Sequence, residues 1–145
     1  MNKKVIAIFK ELGFKVEKFN ENVYGLTYDT IKLIYRYYPE DENFLDVGMP
    51  FDISNMNNIS VYELANNLNV RLKFVKVYVY KNNLWAACER NLSLADDLKS
   101  TLEDVVYCMI MVTCCVTYTL IDKRTIGLRK GHEQKGNSNI QRTWL

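Results

Sequence analysis

The chain has 145 residues, of which 48% are hydrophobic and 25% charged, with a formal net charge of +2 at pH 7. These values are ordinary for a folded soluble protein. The charge is uneven, since residues 1–122 carry −3 and residues 123–145 carry +5. The acidic body argues against nucleic-acid binding outside the tail. We expect a single domain over 1–122, followed by a basic, flexible C-terminal tail over 123–145.

The first third of the sequence predicts one helix followed by strands. Apolar residues at helical spacing indicate a helix over Lys3–Leu12. Gly13 suits its left-handed C-terminal cap, and Phe14 suits the hydrophobic contact that accompanies such a cap. Alternating segments separated by polar turns then predict strands over Lys15–Phe19, Val23–Tyr28, Ile31–Pro39 and Phe44–Met49.

The middle of the sequence predicts a second helix and a hairpin. Ser60 and Glu63 form a capping-box pattern, so the helix is expected to begin at Ser60. A long strand over Arg71–Tyr80 changes its apolar phase, which indicates either a bulge or burial on both faces. A polar turn leads to its hairpin partner, Leu84–Arg90. Neighbouring strands joined by short turns, with helices between them, predict an α+β fold with an antiparallel sheet, in the order α-βββ(β)-α-ββ-α.

A third helix is expected after Ser93, where Asp96 follows three residues on as in a helix N-cap. It would run from about residue 94 to about residue 122. Apolar residues at spacings of three and four would pack one side of it on the rest of the domain. These residues are Leu98, Leu102, Val105, Met109, Val112 and Val116.

The same helix carries a second apolar stripe, roughly opposite the first, at Tyr107, Met111, Cys114 and Tyr118. A helix that is apolar on both sides is expected to be buried on both sides. Three covers for the second stripe stay open: another copy of the chain, the tail or a protein partner, or a membrane. We favour the first, which predicts a homodimer with these four residues at its interface.

A membrane span is the least favoured of these covers. The uncharged segment 105–121 has 17 residues, including three threonines and two tyrosines, whereas a span needs about 20 apolar residues. The basic residues that follow would keep the tail in the cytoplasm and export the body. The N-terminal apolar segment ends at Lys10 and Glu11, so no signal peptide is expected. We therefore expect a cytoplasmic protein without a stable membrane span.

The sequence contains few residues that carry chemistry. Its one histidine, His132, lies in the tail, so a His/Cys metal site is not expected. We interpret all four cysteines as reduced core residues; they are Cys88, Cys108, Cys114 and Cys115. No phosphate-binding glycine loop or nucleophile-elbow motif occurs. The sequence thus predicts no catalytic residue, metal or cofactor, and it favours a protein that is not an enzyme.

Aromatic residues of the hairpin are the better functional candidates. Tyr78 and Tyr80 fall on the strand face opposite the valines of the same strand, and Trp85 lies in the returning strand. Tyrosine and tryptophan suit a protein-binding face if part of that surface is uncovered. The alternative is that they form ordinary cross-strand pairs of the sheet.

The predicted order, with a long closing helix after a hairpin, resembles the type III secretion chaperone-like fold. Within that group the chain is most similar to the putative bacterial sensory-transduction regulator family. Residues 65–112 carry most of the resemblance, with "ANNLNVRLKFVKVYVY" and "LWAACERNLSL" leading into the last helix; the N-terminal "IFKELGFKVE" also fits. The resemblance implies a dimeric bacterial binding protein without enzymatic activity.

Two functional hypotheses follow. The first is a homodimeric, chaperone-like or regulatory module that binds a protein segment, either by strand addition or in an apolar groove. The second is a regulatory or structural module whose basic tail contacts RNA or an acidic partner. The first does not need residues 123–145, whereas the second depends on them.

Overall fold

The computed structural model describes residues 1–54, 56–93 and 95–141, with side chains except at 58, 59 and 122–141. Its three described helices are α1 (Asn2–Glu11), α2 (Asn58–Arg71) and α3 (Leu98–Gln141). Its strands are β1 (Lys15–Lys18), β2 (Val23–Tyr28), β3 (Ile31–Arg36), β4 (Phe44–Asp52), β5 (Lys76–Tyr80) and β6 (Asn83–Asn91). The chain divides into two compact units, Met1–Thr113 and a second that begins at Cys114. The element order confirms the predicted α+β class.

The six described strands form one sheet with the order β1-β2-β3-β4-β6-β5. Every neighbouring pair is antiparallel. Consecutive strands are neighbours except that β6 lies between β4 and β5. The β5–β6 turn holds Lys81 and Asn82 at positive φ, as the common two-residue hairpin turn requires.

The C-terminus of α1 confirms the predicted glycine cap. Gly13 has a φ of +89°. Its N–H donates to the carbonyl of Lys10, and the N–H of Phe14 donates to the carbonyl of Phe9, both at 3.0 Å. The rings of Phe9 and Phe14 lie edge to face with centroids 5.8 Å apart, which is the expected hydrophobic contact. This cap directs the chain from α1 into β1.

The two faces of the sheet have different compositions. The core face packs on helices. The ring centroids of Phe9 in α1 and Tyr35 in β3 are 6.0 Å apart, and the hydroxyl of Thr113 in α3 donates to the sulfur of Met49 at 3.2 Å. Leu26, Leu33, Val47 and Leu84 are also buried. The register of the strands places the intervening residues, including Arg36, Asp46, Gly48, Tyr78 and Trp85, on the opposite face. We call that second side the outer face.

Helix α3 buries the predicted stripe but has different ends. Leu102, Val105, Met109, Val112 and Val116 are buried, and Leu98 is half-buried. The helix begins at Leu98, and Asp97 caps it. The Asp97 side chain accepts a hydrogen bond from the N–H of Lys99, and its backbone carbonyl accepts one from the N–H of Thr101. Ser93 and Asp96 do interact, at 2.8 Å, but they close a turn before the helix. The other end, Gln141, lies beyond the predicted end near residue 122, and Leu94 lies outside the described residues.

Helix α2 begins before the predicted cap. It starts at Asn58, and the N–H of Val61 donates to the carbonyl of Asn57 at 3.0 Å. Ser60 therefore lies inside the first turn, and its predicted role as N-cap is wrong. Ser60 and Glu63 both lie within the helix, so their spacing does not mark its start.

The predicted strand over Arg71–Tyr80 is also wrong in its first half. Arg71 ends α2, and the N–H of Leu72 still donates to the carbonyl of Leu68 at 2.8 Å. Phe74 then adopts a φ of +65°, a backbone region that bulky L-residues rarely occupy. This reversal of the backbone separates α2 from β5. The apolar pattern changes at Phe74 because the residues before and after it belong to different elements, so neither a bulge nor burial on both faces is needed.

Candidate functional site

The structure brings the three predicted aromatic residues to the outer face. Tyr78 of β5 lies directly opposite Trp85 of β6, and Tyr80 follows two residues later on the same face. Tyr78 and Trp85 are half-buried, whereas Tyr80 is exposed with the Lys81 ammonium 5.2 Å from its ring centroid. The predicted common face of Tyr78 and Tyr80 is therefore correct, and Trp85 lies on it as well. The role of these residues in binding stays a prediction.

Tyr78 and Trp85 are both held by Arg36. The Arg36 guanidinium lies 5.0 Å from the ring centroid of Trp85 and donates a hydrogen bond of 3.2 Å to the hydroxyl of Tyr78. Its Nε lies 2.8 Å from Oδ2 of Asp46, and its Nη2 donates to Oδ1 at 3.1 Å. The Asp46 side chain is only 2% exposed. These aromatic side chains thus complete a polar network within the chain, which leaves them less available to a partner than isolated exposed aromatics.

Small residues make room for this network. Gly48 lies beside Arg36 in the sheet, and a Cβ there would stand 3.2 Å from the carbonyl oxygen of Ala86 and 3.5 Å from Nη2 of Arg36. Ala87, opposite Gly48, is also buried. The guanidinium can therefore reach from β3 over β4 and β6 to Tyr78 of β5.

Tyr38 adds a second donor to the buried carboxylate. Its hydroxyl donates to Oδ2 of Asp46 at 2.8 Å. Burial and this hydrogen bond to a carboxylate raise the pKa of Tyr38 to about 12, because both favour the neutral phenol. Burial lowers the pKa of Arg36, but its bond to Tyr78 and the charge of Asp46 outweigh that effect and raise it. The network is therefore fully formed at neutral pH.

The edges of the sheet disfavour strand addition. At β5, the side chain of Asn69 in α2 accepts a hydrogen bond from the Val77 N–H and donates one to the Val77 carbonyl, both at 2.7 Å. This occupies the outward-facing backbone groups of Val77, in the middle of the edge that an added strand would use. The opposite edge, β1, has only four residues, three of them charged, and short charged edges resist pairing.

The exposed side of α3 carries the predicted interface residues. Tyr107 and Met111, in the first unit, are 67% and 53% exposed. Cys114 and Tyr118, in the second unit, are exposed as well. All four residues of the predicted second stripe are therefore exposed among the described residues of the chain.

A cleft of about 610 Å³ lies beside Tyr107 in the first unit. Its apolar lining includes Cys88, Val105 and Cys108. Phe74 also lines it, with 86% of its surface exposed. A strained backbone around an exposed aromatic residue suggests a functional rather than a packing role. Tyr107 also lines a smaller apolar cleft of about 280 Å³, together with Phe14, Tyr28 and Ile110.

The charges around these clefts are predominantly acidic. In the larger cleft, Glu89 pairs with Lys76 at 3.1 Å, and Arg90 pairs with Asp96 at 3.5 Å. Asp104 has no ion-pair partner among the described residues. The smaller cleft is bordered by Glu103. A net negative rim favours a partner with basic residues.

The cysteines differ from the expectation that all four are core residues. Cys88 is buried, Cys108 is half-buried, and Cys114 and Cys115 are exposed; all four are free thiols. Burial raises the pKa of Cys88 to about 11 and also raises that of Cys108. Helical spacing explains the difference, since 114 and 115 fall outside the buried stripe.

The sequence patterns did not indicate the Arg36–Asp46 pair or the exposed position of Phe74 at the cleft. An aspartate within the apolar segment "FLDVGM" could have indicated a buried ion pair, because such a residue needs a partner. Phe74 gives no comparable signal, since phenylalanine in "LKFVKV" is compatible with an ordinary strand.

One helical segment among the described residues, Leu98–Ile121, is long and apolar enough to cross a membrane, and 28% of its most apolar window is buried. The described residues contain no group of three metal-binding side chains. No family model, curated protein or solved structure matches this chain.

Proposed function

We propose that this protein is a cytoplasmic, non-enzymatic, homodimeric module that binds a protein segment. The observation that carries the proposal is that Phe74 and Tyr107, both exposed, line the same apolar cleft. Aromatic residues that border a pocket are typical anchors of protein interfaces. A chaperone-like or regulatory role, and the type III secretion chaperone-like classification, belong to the same proposal.

The cleft is favoured over the sheet edge as the binding site. Asn69 already occupies the backbone of Val77 at one edge, and the other edge is short and charged. The aromatic surface of Tyr78 and Trp85 is engaged by Arg36. Groove binding is therefore better supported than strand addition.

The proposed occupant is an apolar helical segment flanked by basic residues. The apolar lining of the cleft suits the apolar face of such a segment. Asp104 and Glu103, on either side of Tyr107, suit lysine or arginine on its flanks. The competing hypothesis, a basic tail that contacts RNA or an acidic partner, concerns residues 123–145, whose side chains lie outside the described part of the chain.

The packing of α3 supports the part of the proposal that excludes a stable membrane span. Leu102, Val105, Met109 and Val112 are almost completely buried in the first unit. Moving this helix into a membrane would remove these side chains from the core. Each buried aliphatic side chain contributes about 1.5–3 kcal/mol to folding, so insertion would require the domain to unfold.

The test uses a fluorescent amphipathic peptide with leucine and phenylalanine on one helical face and lysines on the other. A matched peptide has glutamate in place of each lysine. We expect the lysine peptide to bind the wild-type chain at least about tenfold more tightly. Phe74→Asn should weaken this binding at least about tenfold, since asparagine tolerates the backbone conformation but removes the aromatic anchor.

The control is Tyr62→Asn, which removes an exposed aromatic from α2 instead. It should leave the affinity unchanged. Fluorescence anisotropy gives each dissociation constant, and circular dichroism checks the fold of each variant. Equal binding of the two peptides, or equal effects of the two substitutions, would overturn the proposal.

A further inference from the structure

Strand β6 extends beyond its neighbour β5. Because β5 begins at Lys76, opposite Ala87, residues 88–91 have no partner strand on that side in the described part of the chain. On its other side, β6 pairs with β4 along its whole length. The reversal at Phe74, where φ is +65°, takes the chain out of the sheet before it can pair with residues 88–91. These residues therefore form a free strand edge, separate from the outer edges at β1 and β5 where strand addition is disfavoured.

The hydrogen bonds of the sheet show which backbone groups this free edge presents. The N–H of Leu92 donates to the carbonyl of Asn43 at 2.7 Å, on the β4 side. Successive residues of an antiparallel strand direct their backbone groups to opposite neighbours. Arg90 therefore also faces β4, whereas Glu89 and Asn91 face the free edge. Among the described residues, no hydrogen bond reaches the backbone of Glu89 or Asn91 on that side.

The free edge belongs to the larger cleft. Residues 88–91 all line that cleft, together with Phe74 and residues of α3 that include Tyr107. The cleft is thus a groove between a strand edge and a helix, in which a bound chain can pair with the unused backbone groups. We propose that an extended flank of the bound protein segment adds to β6 at Glu89 and Asn91, antiparallel to β6 and in line with β5. This inference rests on the proposed function and specifies how the basic flank of the helical segment is held.

The surfaces beside the edge indicate which side chains the flank carries. Successive side chains of a strand point to opposite faces, so one row would lie over the apolar lining of the cleft. The other row would lie on the outer face, beside Glu89. There, a depression of about 480 Å³ is lined by Glu40, Asp41 and Glu89 as well as by Lys76. Three carboxylates against one ammonium favour basic side chains. The fitting flank therefore alternates basic and apolar residues.

The first experiment adds such a flank to the lysine peptide of the binding test. The sequence Lys-Val-Lys-Val-Lys is attached to the peptide, once at each end. We expect a gain in affinity of about tenfold or more at one end, since each backbone hydrogen bond adds a modest contribution. Fluorescence anisotropy measures the dissociation constants.

Backbone N-methylation then separates strand pairing from charge. With lysines on the outer face beside Glu89, the lysine N–H groups point to β6 and the valine N–H groups point away from it. A methyl group on the backbone nitrogen of the central lysine should abolish the gain from the flank. The same methyl group on the nitrogen of a neighbouring valine should leave the gain unchanged. These two peptides have equal charge and equal composition, so a flank held by charge alone would bind equally well in both.

A pair of variants tests the same contact from the side of the protein. Asn91→Pro removes an N–H of the free edge, and it leaves the bonds to β4 in place because Asn91 faces away from β4. Proline is tolerated at such strand positions. It should reduce the affinity of the flanked peptide to that of the peptide without a flank. Asn91→Ala keeps the N–H and should bind like the wild type. Circular dichroism checks the fold of both variants.

Amide hydrogen exchange of the wild-type chain, followed by NMR, needs no substitution. In the free protein, the N–H of Arg90 should exchange slowly because it faces β4, whereas those of Glu89 and Asn91 should exchange rapidly. Saturation with the flanked peptide should slow Glu89 and Asn91 at least about tenfold. The peptide without a flank should leave both rates unchanged.

Failure of this inference and failure of the proposed function are distinguishable. No gain from the flank, equal effects of the two N-methyl groups, or unchanged exchange at Glu89 and Asn91 would overturn strand addition. If the peptide without a flank still binds through Phe74, the binding function stands without it. If neither peptide binds the wild-type chain, both proposals fail.

Discussion

Arg36 of β3 donates a hydrogen bond of 3.2 Å to Tyr78 of β5, although two strands of the sheet lie between them. The bond is possible because Gly48 and Ala87, which lie between the two residues, have no bulky side chain in the path of the guanidinium. The same guanidinium neutralises Asp46, whose side chain is almost completely buried. Arg36 thus ties four neighbouring strands together on the face opposite the helices.

The first prediction concerns this ion pair. Arg36→Met should lower the free energy of unfolding by roughly 3 kcal/mol, because it leaves the buried carboxylate of Asp46 without its cation. The double variant with Asp46→Leu should recover part of that loss, since no charge is then left unpaired. Urea unfolding of both single variants and the double variant measures the coupling. Additive effects would show that the pair is not coupled.

A second prediction concerns the edge of the sheet at β5. Asn69→Ala should cost about 1–3 kcal/mol, because it leaves the N–H and carbonyl of Val77 without their partner. The exposed edge should also increase aggregation on heating. The matched control is Asn67→Ala, at an exposed position of the same helix. Thermal unfolding monitored with light scattering compares the two, and similar behaviour would contradict a specific role for Asn69.

The third prediction is a dependence on alkaline pH. The pKa of Tyr38 is raised to about 12 in the folded chain, against about 10 for a tyrosine of the unfolded chain. The unfolded state therefore releases the proton first, and the free energy of unfolding falls as pH rises from about 10 to 12. Tyr38→Phe should reduce this slope. Urea unfolding at about pH 9 and about pH 11 measures it, and a slope equal to that of the wild type would exclude Tyr38 as its source.

The fourth prediction ranks the thiols by reactivity. Cys115 is exposed, whereas Cys88 is buried with its pKa raised from 9.0 to about 11. At neutral pH this shift alone reduces the thiolate of Cys88 about 100-fold relative to an ordinary cysteine. Maleimide labelling followed by mass spectrometry should modify Cys115 early and Cys88 only after unfolding. Comparable rates at the two sites would show that the region around Cys88 opens readily.

Local sequence patterns were sufficient for much of the fold. The glycine cap after α1 and the short turns of the β-meander depend on neighbouring residues, so the sequence indicates them directly. The first turn of α2 was misplaced, because Ser60 and Glu63 match a capping box without acting as one. The start of β5 was misplaced because Phe74 adopts a conformation that its residue type does not favour.

The candidate site was predicted only in part. Helical periodicity separates the two stripes of α3, and Tyr107 and Met111 do lie outside the stripe that packs on the core. Their place in a dimer interface stays a prediction. The cleft was not predicted, since it depends on contacts between β6, α3 and the segment at Phe74 that are distant in sequence. The engagement of Tyr78 and Trp85 by Arg36 was missed for the same reason.

The position of β6 in the sheet has a consequence for how the chain folds. Strands β1 to β4 pair with their sequence neighbours and can form as successive hairpins, as can β5 with β6. The β4–β6 pairing instead joins Asp52 to Asn83 and closes a loop that contains α2 and β5. Loop closure costs entropy before the contacts it permits are made. Joining the two preformed halves at β4 and β6 is therefore the expected rate-limiting step of folding.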